Sequence, residues 1–146
     1  MDPCTVIGTI SAAGAIVVGI TNTIHKLVRI RERFKEADVT LRLLVAELSA
    51  VKAALLQIED WANYNSDGVV EGGLEHGFKL SLEGCQIAMD LLWDEVESLY
   101  EGFEDNDDAF AARLRTVWKE SSMKEHQQRL RGQIGALQLL LQAAHM

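Results

Sequence analysis

Apolar residues recur along this chain at steps of three and four in several separate stretches, the period of helices that bury one face. The clearest stretch holds Leu41, Leu44, Leu48, Val51, Leu55, Ile58 and Ala62 in one heptad register. It predicts a helix with a single apolar seam from near Asp38 to about Trp61. The turn-forming run Asn63-Tyr64-Asn65-Ser66-Asp67-Gly68 then ends it. A second seam follows at Leu74, Phe78, Leu82, Cys85, Met89, Leu92, Val96, Leu99 and Phe103. Gly72, Gly73, Gly77 and Gly84 weaken the first turns of that helix, and Glu104-Asp105-Asn106-Asp107-Asp108 breaks it. The last region opens with Phe110, Leu114 and Val117, then shifts register at Ser121-Ser122, where Ser122 and Glu125 have capping-box spacing. It resumes at Leu130, Ile134, Leu137 and Leu141, and reads as one kinked helix or as two helices meeting near residue 121. No β-alternation of useful length occurs. The expected fold is all-α: one domain over residues 1–146, an antiparallel bundle of four to five helices joined by short loops.

The first helix follows a different pattern. From Pro3 to Ile24 there is no charged side chain, and Lys26, Arg29, Arg31, Arg33 and Lys35 come directly behind. Asp2 suits the position that caps a helix N-terminus, and Pro3 suits the first helical position. About 20 helical residues at roughly 1.5 Å each match the hydrocarbon core of a bilayer. The basic cluster behind them is what an anionic membrane surface attracts. Eight bulky apolar residues in the stretch favour insertion by roughly 2–5 kcal/mol. Thr5, Gly8, Thr9, Ser11, Gly14, Gly19, Thr21, Asn22 and Thr23 cancel much of that gain. A helix so balanced can sit in a soluble core or in lipid, which suits conditional insertion.

Helical spacing gives this stretch two stripes. Val6, Ile10, Ala13, Val17, Ile20 and Ile24 form a bulky one. Gly8, Ala12, Ala15 and Gly19 form a smooth one about half a turn away, and small residues four apart let helices approach closely. The candidate membrane and oligomerisation residues are therefore Gly8, Ala12, Ala15 and Gly19, with Ile10 and Val17 beside them. The candidate contacts to anionic lipid are Lys26, Arg29, Arg31, Arg33 and Lys35. Positive charge that follows the apolar region argues against a cleaved secretory signal.

Charge and cysteine content narrow the class further. Residues 1–58 carry seven bases and five acids, 59–108 one base and fifteen acids, and 109–146 six bases and two acids. The acidic middle argues against a nucleic-acid surface. Its attraction to the basic ends is expected to help hold a resting bundle closed. Cys4 and Cys85 make no disulfide framework and read as reduced thiols of a cytosolic protein.

Candidate chemistry is sparse. His25, His76, His126 and His145 are scattered and lack partners at metal-ligand spacing, so each is expected at the surface. Glu71-Gly72-Gly73-Leu74-Glu75-His76-Gly77 is Gly-rich but lacks the Gly-Lys-Ser/Thr ending of a phosphate loop. Asp94 and Glu95 lie in an acidic run without a pocket signal, and Met89 and Trp93 fit a packed core. The reading is a non-enzyme without cofactor or metal.

Three stretches together resemble the HeLo-like N-terminal domain of fungal STAND and NLR-like proteins. They are Met1-Asp2-Pro3 with the apolar helix behind it, Leu41-Arg42-Leu43-Leu44-Val45-Ala46-Glu47-Leu48 continued to Leu55, and Leu114-Arg115-Thr116-Val117-Trp118-Lys119-Glu120 with Met123-Lys124-Glu125, Leu130-Arg131 and Ala136-Leu137-Gln138-Leu139-Leu140-Leu141. The resemblance implies a bundle related to HeLo domains and to the four-helix bundle of mixed-lineage kinase-like pseudokinases. It further implies a cytoplasmic effector of programmed cell death and innate immunity. In that group activation drives self-association, and an N-terminal helix reaches the plasma membrane. An upstream NLR or amyloid-motif signalling protein would be a partner. Residues 1–146 contain neither a nucleotide-binding STAND module nor an amyloid-type motif. The competing expectation is a soluble adaptor bundle that only binds partner helices.

Overall fold

A computed structural model describes residues 3–33, 38–64, 72–105 and 121–144, with side chains for 8–32, 39–64, 74–98 and 123–144. All the described residues are helical. They form α1 (Pro3–Arg33), α2 (Asp38–Tyr64), α3 (Gly72–Asp105) and α4 (Ser121–Ala144). The expected fifth segment, with Phe110, Leu114 and Val117, lies outside the described residues. α1 packs against α2 and α3, and α4 packs against the same two, so contacts run in a ring α1–α2–α4–α3. Across the ring, Trp61 near the end of α2 meets Phe78 near the start of α3, ring centroids 4.9 Å apart.

The predicted seams of α2 and α3 supply most of the core. Every seam residue of α2, Leu41 through Ala62, is buried, as are Phe78, Leu82, Cys85, Met89, Leu92 and Val96 of α3. Leu74 is partly buried, and Leu99 and Phe103 lie outside the described side chains. Helix α4 adds Met123, Leu130, Leu137 and Leu141. Each fully buried Leu or Ile contributes about 1.5–3 kcal/mol through area removed from water. The charge-free stretch does not end as a helix at Ile24. The helix continues through the basic residues to Arg33, carrying Leu27 and Ile30 into the core.

That continuation rotates the buried line of α1 from the expected one. The core residues are Ala13, Ile16, Ile20, Thr23, Leu27 and Ile30, a heptad alternation of threes and fours. Val17 and Ile24 only flank the core, Ile10 is partly buried, and Val6 lies outside the described side chains. A line through Ile16 and Ile20 can be extended by Leu27 and Ile30, whereas one through Val17 and Ile24 meets Arg31. Thr23 is tolerated in the core because its hydroxyl donates to the Gly19 carbonyl at 2.8 Å.

Glycines Gly77 and Gly84 do not interrupt α3 but serve its packing on α4. A Cβ at Gly77 would lie 2.8 Å from Leu140 Cδ2, and one at Gly84 would lie 2.9 Å from Gln133 Oε1. Next to Gly84, the buried thiol of Cys85 donates to the same Gln133 Oε1 at 3.7 Å. Burial pushes the Cys85 thiol up from 9.0 to about 12. The thiolate is the reactive form, so in a Cys4→Ser background Cys85 should resist a disulfide reagent at pH 8 and react only after denaturant is added. The native state keeps its proton where the unfolded chain has lost it. Stability from this group is therefore intact below pH 9 and falls as pH rises from 9 toward 12. Rapid labelling of the folded chain at pH 8 would contradict the burial of Cys85.

Candidate functional site

Among the described residues, the smooth stripe of α1 is not consumed by packing inside the bundle. Gly8, Ala12 and Ala15 are exposed and Gly19 is partly buried. A Cβ built on Gly8 or Gly19 would have nothing within 4 Å among the described residues. Gly8, Thr9, Ala12 and Ile16 form one wall of a groove of about 440 Å³, with Lys79, Leu82, Glu83 and Gln86 of α3 opposite. Gly19, Asn22 and Thr23 continue it toward Met89, Asp90 and Trp93 in a second hollow of about 180 Å³. The small residues thus leave space beside α3 instead of drawing the two helices together. On the remaining side of α1, Val18 is 60% exposed. Residues Gly8–Glu32 are long and apolar enough to span a membrane, yet only 28% of the most apolar 18-residue stretch is buried in the bundle. The hydroxyl of exposed Thr21 donates to the Val17 carbonyl at 2.9 Å, so it brings no unsatisfied donor into an apolar medium.

The described basic residues of α1 differ in exposure. Lys26 is partly buried, its Nζ 4.3 Å from the centroid of the Trp93 ring and 3.9 Å from Glu97 Oε1. Arg29 is exposed and Arg31 partly so, while the side chain of Arg33 and all of Lys35 lie outside the described residues. Lys26 therefore ties the basic end of α1 to the acidic α3, as the opposed charge blocks predict. Trp93 is half-buried beneath that ammonium, and Met89 is buried as expected. A cation over an indole face is worth roughly 0.5–1 kcal/mol at an accessible site.

One histidine departs from expectation. His25 and His76 are exposed, and His145 is outside the described residues, but His126 is buried in the seam of α4. The reason is a polar partner across the interface: His126 Nε2 bonds to Glu95 Oε2 of α3. Arg129 Nη1 lies 3.3 Å from His126 Nδ1, and a guanidinium has only donors. Nδ1 is thus the acceptor and Nε2 carries the proton toward Glu95. Arg129 also reaches Glu125 at 3.4 Å. The spacing of His126, Leu130 and Leu137 along one seam was the available signal. Between α2 and α4, Arg131 Nε donates to Glu47 Oε1 at 2.6 Å, while Glu47 Oε2 is buried without a hydrogen-bond partner among the described residues. Among the described residues no group of three or more His, Cys, Asp or Glu is placed to hold a metal ion.

Set against known proteins, the chain matches no family model, no curated protein and no solved structure.

Proposed function

We propose that this chain is a HeLo-like, non-enzymatic effector of regulated cell death that resides in the cytoplasm and moves to the plasma membrane on activation. In the resting state α1 completes an antiparallel bundle, and on activation it self-associates in anionic lipid through Gly8, Ala12, Ala15 and Gly19. The observation that carries this reading is the uncovered small-residue face of a charge-free helix. A soluble bundle gains nothing from leaving that face bare, whereas helices in lipid pack through such residues. Ile10 and Val17, each only partly buried, would meet acyl chains or a neighbouring helix.

Residue pairings support the antiparallel course of successive helices. Gly14 approaches Glu59 across α1 and α2. Across α3 and α4, Gly77 meets Leu140, Gly84 meets Gln133 and Glu95 meets His126, one number rising as the other falls. Between α1 and α3, which are not successive, the numbers rise together.

The basic segment supplies the anionic-lipid contact. Replacing Lys26, Arg29, Arg31 and Arg33 by Gln should weaken binding to anionic vesicles by about 1 kcal/mol per charge. The loss should shrink in high salt, which screens the same attraction. To take part, Lys26 must first leave Trp93 and Glu97. Vesicle co-sedimentation measures this, and equal binding of parent and variant at low salt would remove the segment from the mechanism.

A further inference from the structure

The outer face of α3 carries apolar residues that neither the core nor the membrane reading of α1 uses. Leu80, Ile87 and Leu91 are 53%, 62% and 45% exposed. They stand seven and four residues apart, so they share one face along about 16 Å of helix. The face lies opposite the buried seam of Phe78, Leu82, Cys85, Met89 and Leu92. Its border is largely of one sign. Glu83, Asp90 and Asp94 are exposed beside or beyond the stripe, and Lys79 is the one base between residues 59 and 108. Gln86 donates to Asp90 at 2.7 Å, which fixes that carboxylate at the border.

From this juxtaposition we infer that the outer face of α3 docks a cationic amphipathic helix of another protein. The apolar stripe supplies the area that such helices lay against a surface, and the acidic border selects Lys and Arg at their edges. The same border disfavours two other occupants. A second copy paired face to face would set Glu83, Asp90 and Asp94 against their own equivalents. An anionic membrane would meet the same repulsion. This docking surface is independent of whether α1 reaches a bilayer.

The test is fluorescence anisotropy with a labelled Leu/Lys peptide that forms an amphipathic helix, and with an isomer of the same composition whose leucines are scattered around the helix. The patterned peptide should bind the whole chain at least about tenfold tighter than its isomer. The double variant Ile87→Gln, Leu91→Gln should lose about tenfold in that affinity, with its thermal melt unchanged because both residues are exposed. If its melt falls, Asp90→Asn with Asp94→Asn decides, and it should weaken the patterned peptide at low salt and much less at high salt. Equal binding of the two peptides, or patterned binding that survives both double variants, overturns the inference. So does a dimer of the parent chain, in sedimentation, that Ile87→Gln and Leu91→Gln dissolve.

Discussion

Ile20→Ala should cost about 2–5 kcal/mol of stability, the usual range for deleting a buried branched side chain that leaves a cavity. Ile20 is fully buried between α1 and its neighbours. In a chain of this size that is a thermal melt lowered by roughly 5–20 °C. Val18→Ala, two residues away on an exposed face, should stay within about 0.5 kcal/mol. Circular dichroism melts of the two variants read out which side of α1 the bundle uses. Equal losses would contradict the buried line drawn through Ile16, Ile20 and Leu27. The same line limits how the helix can be tested. Removing residues 1–24 would strip Ala13, Ile16, Ile20 and Thr23 from the buried interior, so lost activity in such a chain would report unfolding.

Gly8→Leu or Gly19→Leu should reduce dye leakage from anionic liposomes on the order of tenfold or more, leaving vesicle binding largely intact. Either side chain would hold helices apart where close approach in lipid is proposed. Among the described residues nothing lies within 4 Å of a Cβ at either site, so the resting bundle can accept the first atom of the new side chain. Leucine also improves helix propensity over glycine by up to about 0.8 kcal/mol, and the melt should hold or rise slightly. A melt lowered by several degrees with leakage unchanged would mark the stripe as packing surface only. Overpacking of a core costs about 1–3 kcal/mol, and the melt would register it.

Periodicity carried the buried seam of α2, because seven residues in one register leave a single way to bury them, but not its end: the helix runs past Trp61 through Asn63 to Tyr64, which composition alone assigns to the turn. It carried α3 as far as its side chains are described, from Phe78 to Val96. For α1 it was ambiguous. An almost wholly apolar helix has no polar face to fix its rotation, and the deciding residues, Leu27 and Ile30, lie among the basic ones. The positions of Gly77 and Gly84 beside Leu140 and Gln133 depend on which helices meet, which local pattern does not specify. The burial of His126 depends likewise on Glu95, thirty-one residues earlier and on another helix. The small-residue stripe and the basic segment could be named from spacing alone, but where each residue faces in the bundle could not. Gly8, Ala12 and Gly19 line a groove while Ala15 faces outward, and Lys26 is engaged by α3.

The most direct test of the membrane reading is release of an encapsulated dye by the whole chain, from liposomes of anionic and of neutral lipid side by side. With anionic lipid itself drawing α1 out of the resting bundle, the proposed effector should empty the anionic liposomes at low salt, spare the neutral ones, and lose activity as salt screens the basic end of α1. Anionic liposomes that stay sealed, or leakage equal from both lipids and indifferent to salt, would contradict it.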